Sequence, residues 1–142
     1  MTFKEKFVIN KLNTIKNYLI ELEDLLKFTD KEILSDLLKL HTAERLLQLI
    51  VDTIIDINQH FIRELNLQIG DDFQSTFYAL KDNKILSENF ANKIAPAVGL
   101  RNMIVHRYEK LDKALFIALL RKNYADFKLY LKYINDYLKT KK

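Results

Sequence analysis

From Val8 onward the apolar residues Leu12, Ile15, Leu19, Leu22 and Leu26 recur at alternating spacings of four and three. That rhythm lays them along one stripe of a helix and would scatter them over both faces of a strand. It returns twice more at greater length. Ile33, Leu37, Leu40, Leu47, Ile50, Val51, Ile54, Ile57, Phe61 and Leu65 mark a long second helix, and Phe116, Leu120, Phe127, Leu131, Ile134 and Leu138 a last one. Only two glycines and one proline interrupt 142 residues, so few positions force a helix to stop. The expectation is an all-α protein, an up-and-down bundle of about five helices forming one domain over residues 1–142.

Local signals divide the bundle. The first helix is predicted to end near Phe28, where Thr29 and Glu32 have the spacing of a capping box that opens the second at about Asp30. No breaker follows before Gly70. A strict heptad from Ile33, Leu37 and Leu40 would place Glu44 and Asn58 on the buried seam, whereas ordinary helical drift carries the stripe onto Leu46, Leu47 and Ile50, the preferred reading. Asp71 and Gln74 repeat the cap spacing ahead of a short third helix bearing Phe73, Phe77, Tyr78 and Leu80. Ser87 opens a fourth through Phe90, Ile94 and Val98, with a bend or break expected between Pro96 and Gly99. Asp112 caps the fifth, which starts near Lys113 and whose stripe is widened by Tyr124, Tyr130 and Tyr137.

Several functions are disfavoured by composition. No apolar run approaches the roughly 18 residues of a spanning helix, so no membrane role is expected. Without cysteine there is no disulfide and no thiolate metal site, and the start Met-Thr-Phe-Lys-Glu-Lys lacks a secretory signal's apolar core; a cytoplasmic location is expected. His41 and His60 lie too far apart on one predicted helix to share a metal, so none is expected. The net charge of +4 clusters only at Lys139-Thr-Lys-Lys142, which reads as a solvated end. Tyr124, Tyr130 and Tyr137, with Lys128 and Lys132 nearby, have a composition that stacks bases, but at helical spacing they read as core or dimer contact.

Chemistry concentrates in Gly99-Leu-Arg-Asn-Met-Ile-Val-His-Arg-Tyr108. Arg101 is a permanent cation, His106 carries an imidazole that can take up or give a proton and Tyr108 carries a phenol, a set suited to work at a phosphate. On a regular helix Arg101 and Tyr108 share a face, about 20° apart, while His106 stands about 140° from Arg101. Two arrangements would reunite them: unwinding after Val105 that swings His106 round, or two copies of the motif facing one another in a dimer. Asn102, four residues before His106, is placed to hold one imidazole nitrogen, and Leu100, Met103 and Ile104 would bury the opposite side. A histidine that moves protons and a guanidinium that braces a phosphate are nearly all that RNA cleavage needs, because RNA supplies its own 2′-hydroxyl nucleophile.

Arg101-Asn-Met-Ile-Val-His106-Arg-Tyr108, preceded by Gly99-Leu100 and followed by Leu111-Asp112, resembles the HEPN superfamily, specifically its HepT-like toxins, whose pattern is Arg, four residues, His, one residue, Tyr. The succession of helices is also similar, including a long second helix with Asp52-Thr-Ile-Ile-Asp56-Ile-Asn-Gln-His60. The resemblance implies a homodimer through the motif region and a metal-independent ribonuclease that needs no cofactor for cleavage. It assigns phosphate binding to Arg101, general acid or base work to His106 and orientation of the site to Asn102. It further implies a partner, a minimal nucleotidyltransferase antitoxin of the MntA type, that uses ATP to adenylylate Tyr108. The alternative is a non-catalytic helical protein that binds a nucleotide or a nucleotidyltransferase.

Overall fold

The computed structural model describes residues 5–68 and 70–140, and every regular element among them is helical. In chain order these are α1 (Glu5–Leu25), α2 (Asp30–Ser35), α3 (Leu37–Glu64), α4 (Gln74–Asp82), α5 (Glu88–Ile94), α6 (Pro96–His106), a 3₁₀ turn (Tyr108–Lys110) and α7 (Lys113–Lys139). The all-α expectation holds. Seven α-helices replace the expected five because two predicted long helices are each divided.

Asp36 makes the first division. Its backbone is extended at φ −122° and ψ 106°, and its Oδ1 accepts from the N–H groups of Leu38 and Lys39 at 3.0 and 3.4 Å. Amid the apolar rhythm it passes for an exposed helical residue, but its short carboxylate competes for first-turn amides and starts a new helix. Pro96 makes the second: lacking an N–H, it becomes the first residue of α6, while Ala95 keeps helical dihedrals at φ −54° and ψ −38°. The chain therefore breaks at Ala95 without reversing.

Other boundaries follow local chemistry. The Thr29 capping box forms as expected, with Glu32 N–H donating to Thr29 Oγ1 at 3.1 Å and Thr29 N–H to Glu32 Oε1 at 2.9 Å. α3 stops at Glu64, where the apolar stripe runs out and ahead of Gly70, because Asn66 takes a left-handed φ of 56° and Leu67 N–H donates back to Ile62 O at 2.9 Å. Asp71 does not cap α4: Phe73 is its N-cap and makes no side-chain cap bond, while Asp72, one residue earlier, accepts from Ser75 N–H at 2.9 Å. Asp112 caps α7 through Leu115 N–H at 3.0 Å.

α3 is the spine. α1, α2, α4 and α6 pack against it, and α7 closes the bundle against α1, α2 and α5. Leu46, Leu47 and Ile50 are buried as drift requires, yet Glu44 and Asn58, the heptad positions, are buried too, at 5% and 0% exposure. Asn58 joins three helices: its amide donates to Thr76 Oγ1 at 3.0 Å, and its Oδ1 accepts from the Tyr130 hydroxyl at 2.6 Å. The tyrosine stripe is structural accordingly. Tyr130 is fully buried, Tyr124 donates to Glu23 at 2.7 Å and Tyr137 meets Phe61 edge-on. His60 is buried and stacked on Phe7, whereas His41 lies exposed near the start of α3. Among the described residues no three potential metal ligands converge, and no helix is long and apolar enough to cross a membrane. The last two lysines of the basic run lie outside the described residues.

Replacing Asn58 by alanine strands the buried Tyr130 hydroxyl and is expected to lower stability by about 2–3 kcal/mol. Urea unfolding with an unchanged slope measures this; a change within about 0.5 kcal/mol would show that the network contributes little to stability.

Candidate active site

α6 carries the motif, and its packing face is the expected one: Ala97 and Val98 are buried, and Leu100, Met103 and Ile104 lie against the core. The polar groups then reach sideways to α3. Arg101 Nε donates to Asp52 Oδ1 at 2.7 Å, and the guanidinium lies 5.8 Å from the Phe73 ring centroid. Its Nη1 donates to Asn102 Oδ1 at 3.0 Å. Arg101 is thus held on two sides, while among the described residues its Nη2 makes no hydrogen bond and remains able to receive an anion.

Asn102 therefore secures Arg101, not His106 as the spacing suggested. A charged donor forms the stronger hydrogen bond and takes the amide oxygen first. His106 makes no hydrogen bond among the described residues and stands exposed as the last residue of α6. The helix stays regular through it, so unwinding after Val105, one of the two arrangements open to the sequence, does not occur; Arg107, at φ −142° and ψ 46°, is where helical backbone ends. Arg101, Asn102 and His106 nevertheless line one open pocket of about 430 Å³ together with Asp71, Asp72, Phe73 and Arg107. Arg107 has no ion pair or hydrogen-bonded side chain among the described residues and adds a second cation to this rim.

Tyr108 has left the helix. It opens the 3₁₀ turn, so it no longer shares the helical face of Arg101. Its hydroxyl donates to Glu44 Oε2 at 2.8 Å, Glu44 Oε1 lies 2.9 Å from His41 Nδ1, and the Lys113 ammonium sits 4.9 Å from the phenol's ring centroid. Burial raises the Tyr108 phenol, and the hydrogen bond and charge of Glu44 add to it, taking its pKa from 10.0 to about 12.

Three participants escaped the sequence reading. Asp52 and Glu44 hold Arg101 and Tyr108 from 49 and 64 residues away, distances at which no local pattern reports a pairing. Glu44 did carry a signal, its place on the heptad seam. Arg107, between His106 and Tyr108, had none beyond its charge.

A phenol whose pKa is raised on folding holds its proton more tightly in the folded state, so its contribution to stability is complete below pH 10 and is lost as the pH climbs toward about 12. The wild type is expected to lose more stability than Tyr108→Phe across that interval. Urea midpoints at several pH values measure the difference, and parallel declines would contradict it.

The chain matches the family described as Ribonuclease HepT-like over residues 15–134. It is 33% identical over 141 residues to the tRNA nuclease HepT of Aphanizomenon flos-aquae (strain 2012/KM1/D3), an alignment covering 99% of this chain and 96% of that one. To the mRNA nuclease HepT of Shewanella oneidensis it is 26% identical over 128 residues, 87% of this chain and 92% of the relative. A solved structure of tri-AMPylated Shewanella oneidensis HEPN toxin in complex with MNT antitoxin shares the fold with a TM-score of 0.85 at 23% identity, covering 94% of this chain and 99% of that one. YutE of Bacillus subtilis, described as a cytosolic protein of unknown function, shares it with a TM-score of 0.85 at 16% identity, covering 99% and 94%. With most of its length matched by the family and a relative 33% identical end to end, this chain belongs to the ribonuclease HepT-like family.

Proposed function

We propose that the protein is a cytoplasmic ribonuclease toxin that cleaves RNA as a homodimer without metal and is neutralised when a minimal nucleotidyltransferase transfers AMP from ATP to Tyr108. The observation that carries this reading is the shared pocket of Arg101, Asn102 and His106, with Arg107 beside them. In this reading His106 takes the proton of the RNA 2′-hydroxyl or returns one to the leaving oxygen, and its exposure at the end of α6, with no hydrogen bond among the described residues, suits a group that must change partners. Arg101, fixed by Asp52 and Asn102, offers Nη2 to the phosphate oxygens as charge builds on phosphorus. Arg107 adds charge for a neighbouring phosphate. Asp71 and Asp72 on the same rim oppose polyanion binding, which favours a second motif across a dimer as the source of further cations.

The relatives' names support RNA as the substrate, and the neighbour bound to MNT antitoxin supports the partner. Glu44 and Asp52, the anchors of Tyr108 and Arg101, are about 12 Å apart along α3, so AMP on Tyr108 would bring negative charge near the phosphate-binding arginine.

Purified protein is expected to cut RNA in the presence of a metal chelator, and His106→Ala to slow cutting by at least about 10²-fold with its helicity retained. Cutting at the wild-type rate in that variant would remove the assignment of His106. Separately, Tyr108→Phe incubated with the nucleotidyltransferase and ATP is expected to gain no AMP mass; a persistent gain would place the modification elsewhere.

A further inference from the structure

Among the described residues, RNA cleavage in the Arg101 pocket leaves two buried carboxylates without a task, Asp126 of α7 and Glu44 of α3, and of these Glu44 is the one that touches the motif. Glu44 is 5% exposed, does not line that pocket and holds Tyr108 instead. Both of its oxygens are engaged: Oε2 accepts from the Tyr108 hydroxyl at 2.8 Å, and Oε1 lies 2.9 Å from His41 Nδ1. Tyr108 comes from the 3₁₀ turn, His41 from Glu44's own helix, and Lys113 of α7 stands beside the phenol ring.

A phenol attacking phosphorus must shed its proton as the new bond forms, and here the folded environment holds that proton more tightly than water would. Adenylyl transfer to this residue therefore calls for a base within about 2.6–3.2 Å of the hydroxyl. One carboxylate is already there.

We propose that Glu44 is the general base for adenylyl transfer to Tyr108 and that His41 is a positioning residue which holds the carboxylate toward the phenol; this rests on the reading of Tyr108 as the modified residue. The Tyr108 oxygen attacks the α-phosphorus of an ATP held by the partner. As that O–P bond forms, the hydroxyl proton passes to Glu44 Oε2, the bond from the α-phosphorus to the pyrophosphate oxygen breaks, and pyrophosphate leaves with the bonding pair. Lys113 offsets negative charge gathering beside the ring, and Glu44 returns its proton to water once the product has moved away. The toxin thus carries part of the machinery for its own inactivation.

Glu44→Gln tests the proposal, since the amide oxygen still accepts from Tyr108 but cannot take its proton. In the complex with the nucleotidyltransferase and ATP, the gain of AMP on the Tyr108 peptide, followed by mass spectrometry, is expected to slow by about 10²–10³-fold, with RNA cleavage by the free toxin unchanged. The residual rate should rise about tenfold per pH unit as hydroxide replaces the lost base, a response that a packing defect does not produce. Modification of Glu44→Gln at the wild-type rate or faster would overturn the proposal and assign the base to the partner. Should that variant fail to fold, His41→Gln, at an exposed position, is expected to slow modification by about tenfold while leaving RNA cleavage intact, and an unchanged rate there would overturn it. Wild-type toxin that gains no AMP on Tyr108 would overturn this proposal and the reading of Tyr108 together; modification of the wild type with an unaffected Glu44→Gln would overturn this one alone.

Discussion

A carboxylate taken out of water needs donors, and a guanidinium taken out of water needs acceptors. Both requirements are met at one helix. Asp52 and Glu44 on α3 receive Arg101 and Tyr108, the residues near either end of the motif, so the motif is fixed in rotation by Asp52 and in exit direction by Glu44. Asp52 keeps 35% of its side chain exposed, which limits the free energy its pairing with Arg101 contributes. Its effect is geometric. A guanidinium with Nε and Nη1 committed presents its remaining edge in one direction, and the ordering entropy of that edge is lost during folding rather than when a phosphate arrives.

The pocket and the Tyr108 cluster consequently share a backbone but not their side chains. His106 faces solvent at the end of α6, free of hydrogen bonds among the described residues, while two positions later Tyr108 is drawn inward. Arg107 separates them with dihedrals that neither helix nor strand uses, φ −142° and ψ 46°. The helix must end there for both to hold: one further regular turn would carry Tyr108 round toward Arg101 and away from Glu44.

Legibility in the sequence depended on how far apart partners lie. The Thr29 capping box and the Ser87 and Asp112 caps were readable because donor and acceptor are three residues apart. Asp36 was not, since an aspartate between a serine and a leucine also suits an exposed helical face, and its extended backbone and bonds to the Leu38 and Lys39 amides are what show that it starts a helix. Heptad arithmetic singled out Glu44 and Asn58, and the drift that argued against them is equally real: α3 is buried over so broad an arc that both stripes lie inside. The motif was legible in composition and only partly in geometry. Helical angles put His106 apart from Arg101, but they could not reveal that Asn102 would turn to Arg101 or that Tyr108 would abandon the helix. The fold alone would not have supplied this, since YutE, of unknown function, has the same architecture at a TM-score of 0.85.

The interval between Glu44 and Asp52 works as a ruler. Adding or deleting one residue there would turn one anchor by about 100° relative to the other, leaving either the guanidinium or the phenol without its carboxylate. Loops elsewhere in the bundle can vary in length with little structural consequence, as surface connections generally do. This stretch of α3 cannot. Along it the chain cannot change its count, and the constraint comes from two carboxylates that lie outside the motif they serve.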